Sequence, residues 1–123
     1  TNTTCGPLFA KNVVTVNTGL ATATTAALSG TLYTNTGDAD GSSLVLLNDP
    51  TVGVYYDVAN TVAQLVTITP SAGETLYLNN DACAVSITMT SIGTSIHIVA
   101  AKGGAGGIWI ARGDTAAGPT CND

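Results

Sequence analysis

The most constraining feature of this chain is a two-residue rhythm that is interrupted every few residues by turn formers. It is clearest where Cys83, Val85, Ile87 and Met89 alternate with Ala84, Ser86, Thr88 and Thr90. Side chains with a period of two point to opposite sides of an extended strand, so one face of this segment packs and the other meets water. The same rhythm sets Val52, Val54, Tyr56 and Val58 against Gly53, Tyr55, Asp57 and Ala59, and Ile96, Ile98 and Ala100 against His97, Val99 and Ala101. Between such runs lie Asn35 to Gly41, Asn48-Asp49-Pro50, Pro70 to Gly73, Asn79-Asn80-Asp81 and Gly103 to Gly107, each rich in residues that turn the chain. No helical period competes with this pattern over most of the sequence. Leu20 to Leu28 has enough alanine for a helix, but its interleaved threonines favour an extended reading.

Eight to ten short strands are therefore expected, spaced by about 8 to 12 residues, in an all-β antiparallel β-sandwich of jelly-roll type. No internal repeat of about 20 to 50 residues stands out, which argues against a solenoid. Three segments are expected: an N-terminal arm at 1–11, a sandwich domain at 12–112 and a C-terminal tail at 113–123. The 21 threonines and 14 glycines agree with a pleated, turn-rich chain.

Charge narrows the partners. Only 9% of the 123 residues are charged, against about 25% in an average domain. Eight acids against Lys11, Lys102 and Arg112 leave a net charge of −5. Three scattered cations do not neutralise a run of phosphates or hold an anionic membrane surface, so neither nucleic acid nor membrane is an expected partner. No stretch approaches 18 consecutive apolar residues, and no basic segment followed by an apolar run opens the chain.

Candidate chemistry is sparse, and no enzymatic activity, cofactor or metal is expected. His97 is the one histidine and reads as a half-exposed strand residue. Glu74 is the one glutamate, so a glycosidase would have to complete its carboxylate pair with an aspartate such as Asp57 or Asp81. Asp38-Ala39-Asp40-Gly41 resembles part of a calcium loop but puts Leu47 where the bidentate acid belongs. The glycine run at 103–107 leads into a strand rather than a helix, which removes the phosphate-cradle reading. Trp109, Tyr55, Tyr56 and Tyr77 could build a sugar-stacking platform, with core packing the blander use.

Cys5, Cys83 and Cys121 fit no zinc knuckle and no even disulfide framework. Cys83 lies on the apolar side of its strand and reads as a small buried hydrophobe. Cys5 and Cys121 sit in Gly- and Pro-flanked terminal segments, and a bridge between them, within or between subunits, is the expected disulfide.

From Gly30 to Gly113 the chain reads GTLYTNTGDADG, a leucine-rich strand, VGVYYDVANT, LVTITPSAGETLYL, SIGTSIHIVAAKGG and GIWIARGD. This succession resembles the β-rich domain of tailed-bacteriophage head decoration and tail-fibre proteins. It departs from that pattern at Asn48-Asp49-Pro50 and in its three cysteines. The resemblance implies a structural virion protein, a homotrimer on the outer capsid surface, made in the host cytoplasm and bound to the major capsid protein. Absence of a fibre shaft from the sequence favours a capsid decoration, or cement, protein. Its arm, around Cys5, Leu8 and Phe9, is the expected contact with the shell or with neighbouring subunits. A tail-fibre or carbohydrate-binding module and a subunit of an extracellular filament are the alternatives.

Overall fold

A computed structural model describes residues 12–16, 22–35, 41–113 and 118–123. The described residues form twelve strands and one short 3-10 turn, Ala26–Leu28. The strands are β1 (Asn12–Val16), β2 (Thr22–Ala23), β3 (Thr31–Asn35), β4 (Ser42–Val45), β5 (Tyr55–Ala59), β6 (Val66–Thr69), β7 (Thr75–Leu78), β8 (Asp81–Ala82), β9 (Ser86–Met89), β10 (Ser95–Lys102), β11 (Ile108–Gly113) and β12 (Thr120–Asn122). They build a seven-stranded sheet in the order β1-β3-β5-β10-β11-β7-β8 and a five-stranded sheet in the order β12-β9-β6-β4-β2. The expected all-β, two-sheet architecture is thus present.

Strand direction differs from the expectation. Five pairings are parallel, β1 with β3, β3 with β5, β2 with β4, β4 with β6 and β7 with β11, so the sheets are mixed rather than antiparallel throughout. The reason lies in the connections. Through β6 the chain leaves one sheet after every strand, contributes one strand to the other and returns, so each new strand meets its predecessor running the same way. Asn12 lies beside Thr31 and Thr31 beside Tyr56, while Thr22 lies beside Leu44 and Leu44 beside Ile68. Each coil takes about 20 to 25 residues, a solenoid-like winding that lasts for only three coils.

After β6 the winding stops. β7 and β8 form a tight hairpin on the far side of the seven-stranded sheet, with Asn79 and Asn80 at φ +47° and +78°. Asparagine tolerates the left-handed region that such a two-residue turn requires. β10, eight residues long, then inserts between β5 and β11 and pairs antiparallel with both. It joins the coiled half of the sheet to the hairpin half.

Alternation puts one side of β3, β4, β5, β6, β7, β9, β10 and β11 between the sheets. Tyr33, Tyr56, Leu76, Ile98 and Trp109 from the larger sheet meet Leu44, Ile68, Ile87 and Met89 from the smaller, all buried. Each such side chain contributes roughly 1.5 to 3 kcal/mol on removal from water. The Tyr56 and Trp109 rings stack at 5.8 Å between centroids, and Tyr33 meets Tyr56 edge-on at the same distance. Burial pushes the Tyr33 phenol up to about 12, helped by the neighbouring Tyr56, and raises Tyr56 for the same first reason. Tyr56 donates to the Thr25 carbonyl at 2.6 Å, but neither the Tyr33 hydroxyl nor that of Thr31 has a partner among the described residues.

Two buried amides hold the corner where the coil leaves the larger sheet. Asn35 Nδ2 donates to Asn60 Oδ1 at 2.8 Å, while Asn35 Oδ1 accepts from the amides of Thr61 and Val62. Asn60 Nδ2 reaches the Met89 carbonyl, which ties this corner to the smaller sheet. Close approach also fixes Gly41, whose φ is +79° and where a Cβ would fall 2.8 Å from the Leu65 carbonyl oxygen.

The C-terminal segment 113–123 is corrected in part, because Thr120–Asn122 forms an edge strand on β9 rather than a free tail. Leu20 to Leu28, expected to be extended, contains β2 and the 3-10 turn. The arm at 1–11 and the aspartates of the 38–41 turn lie outside the described residues.

Candidate functional site

The outward positions of the larger sheet are organised in rows, because register places one residue from each strand side by side. Leu32, Asp57, His97 and Arg112 are consecutive neighbours across β3, β5, β10 and β11. The next outward row runs Tyr55, Val99, Ile110 and Tyr77 across β5, β10, β11 and β7. Three interstrand steps make each row about 14 Å long. A charged, hydrogen-bonding row therefore lies directly beside an apolar row with a tyrosine at each end.

His97 Nδ1 and Asp57 Oδ1 are 2.7 Å apart, with both side chains partly exposed. The Tyr55 ring leans on the imidazole at 5.4 Å. These two contacts orient the ring and leave Nε2 with no protein partner among the described residues. Arg112, across the sheet from His97, is exposed and forms no ion pair with any described residue.

Two hollows open on this face. One, of about 910 Å³, is bounded by Leu32, Asp57, His97 and Arg112, with the loop at 91–94 as its wall. The second, of about 590 Å³, is bounded by Tyr77, Asn79, Ile108, Ile110 and Arg112. Arg112 belongs to both.

The smaller sheet presents a different surface. Ser43, Thr67, Thr88 and Thr120 form one continuous outward row across β4, β6, β9 and β12. Val45 and Thr69 lie side by side in the next row, and Asn122 pairs with Ser86. Asn122 Nδ2 donates to the hydroxyls of both Ser86 and Thr88 at 3.1 Å. None of the five strands of this sheet carries a charged residue.

The expected disulfide partner is corrected. Cys121 on β12 is bonded to Cys83, at a sequence separation of 38, so it is not available to Cys5. Cys83 is buried as expected, at 1% exposure, but as half of a bridge rather than as a free thiol. Once Thr120–Asn122 pairs with β9, Cys121 comes to the same end of the smaller sheet as the β8–β9 connection, which no spacing rule could disclose. Cys5, Leu8 and Phe9, the expected interface, lie outside the described residues.

Trp109 and Tyr56 are wholly buried, which leaves Tyr55 and Tyr77 as outward members of the aromatic set considered for sugar stacking. Glu74 serves as a structural clamp: its Oε2 accepts from the Asp49 amide and its Oε1 from the Trp109 indole at 3.3 Å. No group of three or more His, Cys, Asp or Glu residues suited to a metal occurs among the described residues. The Asn35–Asn60 corner was missed in the sequence, although Asn-Thr, which also occurs at 2–3, follows a strand-like run at 17–18, 35–36 and 60–61. Neither a protein-family model nor a curated protein matches the chain.

Proposed function

We propose that this chain is a structural virion protein, a capsid decoration protein that binds the major capsid protein on the outer surface of a phage head and acts there as a homotrimer. The observation that carries the reading is the charge-free outer face of the smaller sheet, with its row Ser43, Thr67, Thr88 and Thr120. Burying a charge is costly unless it is paired, whereas small hydroxyls on rigid strands are covered at low cost. The centres of protein interfaces are depleted in charge for this reason. Many copies held on one shell add weak contacts into durable binding. The Cys83–Cys121 bridge supports the same reading, because it fastens the edge of that face without metal or cofactor.

Gold-labelled antibody electron microscopy on virus-sized particles from the producing culture tests the proposal. Label distributed over icosahedral heads is the expected result. Label confined to tail tips, or to non-viral filaments, overturns it.

A further inference from the structure

The larger sheet faces away from the surface assigned to the shell, and its two rows have a chemistry of their own. We propose that the outer face of the seven-stranded sheet is a binding site for acidic oligosaccharides, with Arg112 as the anchor for a sugar carboxylate. The proposal does not depend on the virion reading, since it concerns the opposite face.

Charge complementarity chooses the ligand class. Asp57 is engaged by His97, while Arg112 forms no ion pair with any described residue and forms the common wall of both hollows. A planar guanidinium binds a carboxylate through two parallel hydrogen bonds, which fixes orientation as well as adding energy. A ligand anchored there has the apolar row Tyr55, Val99, Ile110 and Tyr77 along one flank. Sugar rings have apolar faces that pack on such a surface, and tyrosine provides an apolar body with a polar tip. On the other flank His97 Nε2 has no described partner, and the second carboxylate oxygen of Asp57 can accept from a sugar hydroxyl. The neutral ring accepts a hydroxyl proton at Nε2 and the protonated ring donates one, so the contact is available in both states.

The arrangement also excludes other ligands. Arg112 and Lys102, the two described Lys or Arg residues, form no ion pair among the described residues, and two such cations on a chain of net charge −5 do not hold a polyphosphate or a nucleic acid backbone. A purely apolar partner would strand the Asp57, His97 and Arg112 groups without water. A neutral glycan would leave Arg112 uncompensated. Rows about 14 Å long match a short oligosaccharide lying across the strands rather than a single sugar.

The test is titration of the full chain with a galacturonic acid trimer and with a sialylated trisaccharide, each beside its carboxyl methyl ester, followed by nuclear magnetic resonance. At least one of the two acids should bind, shifting the amides of β10 and β11, with affinity at least tenfold above that of its ester. Arg112→Gln should lose at least tenfold in affinity for that acid, and Tyr77→Ala a smaller factor. Thr67→Val on the opposite face should leave binding unchanged, which separates loss of the site from loss of the fold. Absence of shifts with both acids at millimolar concentration, equal affinity for acid and ester, or unchanged binding by Arg112→Gln with native spectra would each overturn the assignment.

Discussion

Across the smaller sheet the outward positions of β4, β6, β9 and β12 carry hydroxyls, one amide and one valine, whereas across the larger sheet they carry Asp57, His97 and Arg112 beside tyrosine, valine and isoleucine. Both surfaces come from one alternation rule applied to one core. The difference shows that the inward residues specify the sandwich while the outward residues are free to specialise by sheet. A surface with no charge can be covered by protein with little desolvation cost. A surface with a cation that has no ion pair among the described residues, and with oriented hydrogen-bonding groups, keeps something to offer a soluble ligand.

The largest expected effect separates the two sheets by stability. Reducing the Cys83–Cys121 bridge, or replacing Cys121 with serine, should cost roughly 4 kcal/mol on the loop-entropy model. Hydrogen exchange should then show β12 and β9 losing protection before β10 and β11. Equal loss in both sheets would mean that the bridge supports the whole sandwich rather than one edge. Next in size, Thr67→Glu should weaken binding to phage heads by about a hundredfold, close to 2.7 kcal/mol, while Arg112→Gln leaves it unchanged. Cosedimentation with heads lacking the protein measures both, and equal effects would erase the functional contrast between the faces.

Asn35→Ala should cost about 2 kcal/mol in denaturant melts, since it strands the Thr61 and Val62 amides and the Asn60 side-chain oxygen Oδ1. The smallest effect lies in the core that both faces share. Tyr33→Phe removes a buried hydroxyl with no partner among the described residues and should be neutral or stabilising by up to about 1 kcal/mol at neutral pH. Because burial raises the Tyr33 phenol in the folded state, its contribution is intact below about 10 and is lost as pH rises from there to about 12. The wild type should therefore lose stability across that window more steeply than Tyr33→Phe. Parallel alkaline melts would show that Tyr33 does not carry the dependence.

Much of the fold was legible because alternation is local. The inward set Val54, Tyr56, Val58, Ile87, Met89, Ile96 and Ile98 follows directly from period two, whereas Val52 and Val85, expected on the same faces, lie outside β5 and β9 and are exposed; turn residues marked most strand ends. Strand direction was not legible, because it depends on which sheet the chain crosses to, and a loop of given composition serves a hairpin or a crossover equally. The site was less legible still. His97 is next to Asp57 only because β10 inserts beside β5, and next to Arg112 only because β11 follows on its other side. Cys121 found Cys83 for a similar reason: its strand had to be placed before its partner could be known. Composition did disclose the low charge, but not that every strand of one sheet is free of it.

The position of β10 also imposes an order of events. Its neighbour on one side, β5, is made early and its neighbour on the other, β11, late, so a growing or truncated chain that ends before Ser95 has an open β5 edge. Unpaired backbone groups on such an edge are a template for association with other chains. Contacts between residues as distant in sequence as Asp57 and His97 also slow the search for the native state. Synthesis and folding of this protein should thus pass through an adhesive stage that ends only when its longest strand has covered β5 and β11 has in turn covered that strand, and the outer face of the larger sheet is complete at that same moment.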